Sequence, residues 1–207
     1  MFKKKYSTPF YWLGLTFLFF QGCAGLSRQE YSIPTLSEPV KISRFEDGIG
    51  GGVFQFKEMS LHVYPGNVRR NDLLLFPLPV YLGEYGLEPP FLISIAIKPK
   101  KSGAMLDLQK IYFWKEVSDK YSPTRIMGPY SCPSSVAYPE KRNLPVDPIS
   151  LQTNKFTCMW LEFDVAPPDP KENFYLEILG LSFGKDSYKI PTIFFKPSKK
   201  VNSFAVP

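Results

Sequence analysis

The amino-acid sequence predicts an all-β protein, an antiparallel β-sandwich, of which the immunoglobulin-like kind is the commonest at this size. The 207 residues include 21 prolines and 14 glycines, which break the chain often and suit short strands better than long helices. Apolar residues recur at every second position in several segments, as on the buried face of a strand. No segment shows a helical repeat over about a dozen residues.

The segment VFQFKEMSLHVY, residues 53–64, alternates but changes phase in its middle. Phe54 and Phe56 share one face, whereas Met59 begins the opposite parity. We therefore predict a strand with a bulge or bend near Lys57. The other predicted strands cover residues 73–76, 91–97, 106–114, 156–165, 174–183 and 190–195.

Three segments are predicted to be loops. Residues 47–52 are glycine-rich but lack the Lys and Ser/Thr of a phosphate loop and the spacing of a dinucleotide fingerprint, so they form a flexible loop or hairpin turn. Residues 76–90 are apolar and broken by proline, and either cross the sandwich or form an exposed hydrophobic rim. Residues 121–148 hold six prolines, which exclude regular structure over most of that length.

The amino terminus has the three-part layout of a secretory signal peptide. Lys3, Lys4 and Lys5 precede an apolar run over about residues 10–20, and a small residue, Gly22, follows it. A permanent membrane-spanning helix needs roughly 20 apolar residues, so this shorter run is suited to export and cleavage rather than to anchoring.

Phe20-Gln21-Gly22-Cys23 resembles the lipobox of bacterial lipoproteins, in which a small residue precedes an invariant cysteine. Phe20 and Gln21 stand where that family usually has Leu and a small residue. The resemblance implies that Cys23 receives a diacylglyceryl group and becomes the first residue of the mature chain. In enteric-type lipoproteins an Asp after the cysteine favours the inner membrane, so Ala24 implies the outer membrane if the source has two. Conventional cleavage near Gly22 or Ala24, or a buried Cys23, are the alternatives.

These observations divide the chain into four parts. Residues 1–22 form the signal peptide, and residues 23–46 hold the lipidated cysteine and a tether that contributes a strand near 40–45. Residues 47–200 form a single sandwich domain, and residues 201–207 a carboxyl-terminal tail. A flexible tether of this length spans roughly 25 Å on average.

Two cysteines remain after Cys23 is assigned to lipid. An exported protein lives where disulfides persist, so Cys132 and Cys158 are predicted to be bridged; two buried thiols are the alternative. A metal site has less support, because the sequence contains one histidine and no zinc-binding motif. On the strand at 156–165, Phe156 and Trp160 share a face with Cys158, which predicts an apolar patch or a face covered by the proline-rich loop.

The sequence offers no catalytic, metal-binding or cofactor-binding residues. His62, the single histidine, is predicted to face solvent. The sequence contains no nucleophile-elbow motif that would accompany it in a catalytic triad. Glu162 and Asp164 fall on the polar face of a strand and read as surface carboxylates. We therefore predict that the protein is not an enzyme.

The net charge of +6 falls to +3 when residues 1–22 are removed, because 22 of the 25 basic residues and all 19 acidic residues remain. No basic stripe remains, which excludes nucleic acid as a partner. The favoured function is a lipid-anchored, non-enzymatic envelope lipoprotein that binds an envelope protein or helps to assemble or maintain the envelope. The alternative is a module that binds cell-wall glycan or a small ligand through aromatic residues, and an envelope hydrolase is the third hypothesis. The aromatic candidates are Tyr112, Trp114, Trp160, Tyr175 and Tyr188.

Overall fold

The structure is a computed structural model, and the residues it describes are 23–44, 52–74, 80–115, 119–132 and 140–206. The predictions for the signal peptide and for most of the glycine-rich loop lie outside these residues. So do parts of the two proline-containing loops.

Within the described residues the chain forms eighteen β-strands, one 3₁₀ turn at Leu108–Lys110 and no α-helix. The predicted all-β class is confirmed. The strands are β1 (Cys23–Leu36), β2 (Lys41–Arg44), β3 (Gly52–Gln55), β4 (Met59–Pro65), β5 (Arg69–Leu74), β6 (Val80–Tyr85), β7 (Phe91–Pro99), β8 (Ala104–Leu106), β9 (Ile111–Trp114), β10 (Lys120–Tyr121), β11 (Arg125–Ser131), β12 (Lys141–Asn143), β13 (Ile149–Ser150), β14 (Thr157–Phe163), β15 (Phe174–Ile178), β16 (Leu181–Phe183), β17 (Asp186–Ser187) and β18 (Ile193–Val206).

Two large antiparallel sheets pack face to face. The first has the order β10-β9-β15-β18-β1-β5-β6, the second the order β12-β11-β14-β7-β4-β3-β2, and a small third sheet the order β13-β8-β16-β17. The predicted antiparallel sandwich is confirmed. Each large sheet contains seven of the described strands, whereas an immunoglobulin domain has about seven to nine strands in total.

The core lies between the two large sheets and is built by alternation along their strands. In β7 the side chains of Phe91, Ile93, Ile95 and Ile97 are fully buried, as the sequence predicts for one face of this strand. Full burial of one such side chain is worth about 1.5–3 kcal/mol. The main inward-facing residues of the neighbouring and facing strands are Leu61, Val63, Met159, Leu161, Phe163, Ile111, Phe113, Phe174, Leu176, Ile193 and Phe195.

The phase change in residues 53–64 comes from a hairpin, so the predicted single bent strand is wrong. β3 and β4 are separate antiparallel strands in which Phe54 lies opposite Leu61. The Phe56 amide donates to the carbonyl of Met59 at 2.9 Å and closes the turn. Because the chain reverses between them, residues of different parity bury on the same face.

The predicted tether is wrong over most of its length. Residues 23–36 form β1, a 14-residue strand paired along its whole length with β18, from Cys23 opposite Val206 to Leu36 opposite Ile193. The predicted tail likewise belongs to β18, which runs to Val206. The polar composition that suggested a tether suits two strands that each expose one face. The strand predicted near 40–45 is present as β2.

The proline-rich segment 121–148 is more regular than predicted, because it contains β11 and β12. Pro129 lies within β11 at a break in register between Met127 and Tyr130, where β11 pairs with β14. A proline without an amide hydrogen is tolerated at such a bulge, since the extra residue needs no ladder hydrogen bond.

Gly128 fixes the shape of this bulge. Its φ of +110° is disfavoured for residues with a Cβ, and a Cβ placed there would lie 3.0 Å from the carbonyl oxygen of Cys158. We expect Gly128→Ala to lower the free energy of unfolding by about 1–3 kcal/mol, measured by urea denaturation.

Gly184→Ala is the matched control for this prediction. Gly184 also has a positive φ, +62°, but a Cβ there would meet nothing within 4 Å. Its substitution tests backbone strain without a clash and should cost about 1 kcal/mol or less. Equal losses in the two variants would contradict a role for the contact between Gly128 and β14.

Candidate functional site

Cys23, the predicted lipidation site, is the first residue of β1. It pairs with Val206, so the β1 and β18 strands end together. Two positions along, Gly25 pairs with Leu74 of β5, which in turn pairs with Val80 of β6. The residue therefore lies at the end of the first sheet, and no linker separates it from the described domain.

Cys132 and Cys158 lie at disulfide distance, as predicted, with their Cα atoms 5.7 Å apart. Cys132 follows the end of β11, and Cys158 lies in the neighbouring strand β14, opposite Tyr130. The Cys132 amide also donates to the carbonyl of Phe156 at 3.3 Å. The bridge fixes the start of the segment that leads to β12 against the second sheet.

The outer face of the second sheet carries a half-buried aromatic patch beside this bridge. The Trp160 indole N–H donates to the Tyr130 hydroxyl at 3.1 Å, and the Lys98 ammonium lies 5.7 Å from the centre of the Phe156 ring. Residues 133–139 of the proline-rich loop that was predicted to cover this face lie outside the described residues, so that cover stays a prediction for this patch. We call the patch the Trp160 surface, and it comprises Lys98, Met127, Tyr130, Phe156 and Trp160.

Glu162 lies on the same face, but the expectation that it is a surface carboxylate is wrong. Its side chain is 2% exposed and forms ion pairs with Arg125 and Lys141. The Thr124 amide donates to its backbone carbonyl at 2.8 Å. Arg125 is the register partner of Glu162, so this pairing could not be seen from a sequence in which β11 was taken for a loop.

His62 is buried, at 2% exposure, so the prediction that it faces solvent is wrong. Alternation does place it on the outer face of the second sheet, opposite Val53 on one side and Ala96 on the other. Both neighbours are buried apolar residues. The alternation identified the face correctly, but it could not show that this part of the face is covered.

A charged cluster lies where β1 and β5 meet the connection between β14 and β15. The buried Glu30 carboxylate pairs with Arg28, with Arg69 at 3.9 Å and with Lys171 at 3.7 Å. Arg69 also binds Asp169 at 2.9 Å. The Lys171 backbone amide, with help from the Arg69 guanidinium, holds the pKa of Asp169 below its usual range, so this carboxylate stays ionised at neutral pH. Sequence reasoning missed this cluster because its members are far apart in the chain.

A groove of about 300 Å³ opens beside the cluster, between the β1–β18 pair and the β14–β15 connection. Three basic side chains and one carboxylate border it, so its charge is positive. Its lining residues are Arg28, Glu30, Pro170, Lys171, Pro197, Ser198 and Lys199.

The outer face of the first sheet carries a second aromatic row. The Trp114 and Tyr175 rings stack with centroids 5.5 Å apart, and Tyr175 meets Phe194 edge to face at 5.1 Å. The Lys120 ammonium lies 4.7 Å from the Trp114 ring centre. Trp114 is 8% exposed, so its ring offers little surface for stacking a sugar, whereas Tyr175 and Phe194 are half-buried.

The described residues contain no group of three or more His, Cys, Asp or Glu side chains placed to hold a metal ion. The described residues contain no helix that is long and apolar enough to cross a membrane.

No protein-family model matches the chain. No curated protein sequence matches it either. Among solved structures, the chain is similar to an uncharacterised β-sandwich protein from Clostridium difficile 630, with 15% sequence identity and a TM-score of 0.32. The alignment covers 73% of this chain and 97% of the clostridial one.

Proposed function

We propose that the protein is an exported envelope lipoprotein, anchored by lipid on Cys23, whose β-sandwich binds a protein partner and catalyses no reaction. The observation that carries the proposal is the pairing of Cys132 with Cys158. Structural disulfides persist in oxidising compartments such as the bacterial periplasm and are rare in the cytosol. The bridge thus agrees with the signal-like order of residues 1–22.

The same pairing leaves Cys23 as the one unassigned cysteine of three. It follows Gly22 directly and begins the first strand of the domain. Because the apolar run before it is too short to span a bilayer permanently, a lipid on this thiol is the anchor that the sequence offers.

The Trp160 surface is the part of the sandwich that we assign to the protein partner. Protein interfaces are enriched in Tyr, Trp, Phe, Met and Arg, with charged groups at the rim. Here the half-buried rings of Tyr130, Phe156 and Trp160 lie beside Arg125 and Lys141 at the edge of the patch. The neighbouring disulfide holds this face in one shape before binding, which lowers the entropic cost of association.

The anchor and the bridge are tested by the intact mass of the protein extracted from membranes of an expressing bacterium, with and without reductant. We expect a chain that begins at Cys23, is heavier by a diacylglyceryl group, and gains two hydrogens on reduction. A lipid-free chain cut near Ala24 would refute the anchor. A mass unchanged by reduction would refute the bridge, and with it the main support for export.

The partner surface is tested by placing a photoreactive phenylalanine at residue 160 and, as a control, at the exposed Tyr121 of the first sheet. A discrete cross-linked protein formed from position 160 and absent from position 121 is the expected result. Soluble cell-wall fragments are added to the unmodified protein in parallel. If they quench Trp160 emission while no protein cross-link forms, the glycan-binding alternative is correct and the protein-partner proposal is wrong.

A further inference from the structure

We propose that one face of the β1–β18 pair lies against an anionic phospholipid surface, with a headgroup phosphate in the groove beside Glu30. This inference rests on the proposed lipid anchor and deepens it by assigning the protein surface that meets the bilayer. It is carried by exposed apolar residues and basic residues that share one face of the sheet, at the end of the sheet where Cys23 lies.

Alternation along the two strands defines this face. Phe195 of β18 points into the sandwich core, so Lys199 and Val201 point to the same side further along the strand. On β1 the same face carries Arg28, which lies directly opposite Val201, and Leu26 two residues before it. We call this the inner face of the ribbon.

Two large apolar side chains are exposed on the inner face where the sandwich no longer covers it. Val201 is 59% exposed and Leu26 is 37% exposed. They are diagonal neighbours across the β1–β18 register, about 7–8 Å apart. Leu26 is three residues from Cys23, about 10 Å along the strand, so a lipid on Cys23 holds both side chains close to the membrane.

The basic groove continues the inner face in the direction away from Cys23. Arg28, Lys171 and Lys199 border it against the single carboxylate of Glu30, and Pro170 and Pro197 supply apolar walls. A basic residue close to an anionic membrane surface is attracted to it electrostatically. The groove has a volume of about 300 Å³, which is large enough to hold the phosphate of a lipid headgroup beside these basic side chains.

The arrangement has the physical properties of an interfacial membrane-binding surface. Such surfaces bury apolar side chains about 5–10 Å into the headgroup region and set basic side chains among the phosphates. With Leu26 and Val201 in contact with lipid, and Lys199 and Lys171 among the headgroups, the ribbon lies along the membrane rather than standing away from it on a tether.

The test uses the mature protein in vesicles of phosphatidylcholine that is brominated on its acyl chains, mixed with phosphatidylglycerol. Tryptophan is introduced by Val201→Trp and, as a matched control, by Ile42→Trp, because both parent side chains are 59% exposed and Ile42 lies in β2 of the other sheet. The emission of the unsubstituted protein is subtracted to remove the contribution of Trp114 and Trp160. We expect bromine to quench most of the added emission at residue 201 and little of it at residue 42.

Equal quenching at the two positions would overturn the inference. It would also be overturned if the tryptophan at residue 201 emitted at short wavelength without vesicles and resisted quenching in them. That result would mean that a second copy or another protein covers the face.

The basic groove is tested by Lys171→Glu combined with Lys199→Glu in the Val201→Trp protein. Vesicles with phosphatidylglycerol should quench residue 201 more than vesicles of brominated phosphatidylcholine alone, and the double charge reversal should abolish that difference. The exposed Lys155 and Lys185, which lie outside the groove, supply the control double variant. If both double variants behave alike, the groove does not bind headgroups.

Failure of the anchor is distinguishable from failure of this inference. If intact mass shows a lipid-free chain, the proposed anchor is wrong, and the same protein is then added to preformed vesicles. Quenching at residue 201 would still support the membrane-facing surface. If the chain carries lipid and residue 201 is not quenched, the anchor stands and the inference fails.

Discussion

Replacing Phe91 by alanine is expected to lower the free energy of unfolding by about 3–5 kcal/mol. Phe91 is fully buried in β7, and its ring centroid lies 5.0 Å from that of Phe113 and 5.8 Å from that of Phe174 in the facing sheet. It also lies 6.0 Å from Phe163 in its own sheet. Truncation removes a contact between the sheets and leaves a cavity that strands held on both sides cannot fill.

Urea denaturation of Phe91→Ala, Phe91→Leu and Leu179→Ala measures this effect. Phe91→Leu keeps most of the volume and should cost roughly a third to a half as much. Leu179 is 40% exposed, so its truncation should change the free energy of unfolding by no more than about 0.5 kcal/mol. A loss below about 1 kcal/mol for Phe91→Ala would mean that the interface between the sheets relaxes around the missing ring.

Opening the Cys132–Cys158 bridge is expected to lower the free energy of unfolding by about 3–4 kcal/mol, the chain-entropy value for a loop of this length. The two residues are 26 positions apart in sequence. The reason is that the bridge restricts the unfolded chain. In the folded state β11 and β14 stay paired through their own backbone hydrogen bonds.

The measurement compares the untreated protein, the reduced protein and the double variant Cys132→Ala with Cys158→Ala. The reduced protein and the double variant should show similar losses, and reductant should not affect the double variant. If reductant leaves the unfolding midpoint of the unsubstituted protein unchanged, the bridge does not form in the protein or does not stabilise it.

The central strands could be predicted from the sequence because their burial follows local alternation. β7 and β14 pack one face on the facing sheet, and the inward residues Ile93, Ile95 and Leu161 recur at every second position. The disulfide could be predicted as well, because compartment and cysteine number depend on composition rather than on contacts.

Features that depend on distant pairing could not be predicted. β1 was predicted to be a tether and the last residues of β18 a tail, because the sequence alone does not show that the two strands pair along their whole length. Glu162 looked like a surface residue because Arg125 lies 37 positions earlier, in a segment whose prolines concealed a bulged strand. The groove beside Glu30 has the same origin, since its walls come from three separate parts of the chain.

The pairing of β1 with β18 also sets the order in which the protein can be made. β1 is among the first described residues to be synthesised, and its partner β18 is made after every other described strand. The first sheet cannot close while the ribosome is still adding residues 193–206, and contacts so distant in sequence form slowly. β1 therefore lacks its full-length partner until the last described strand has been made.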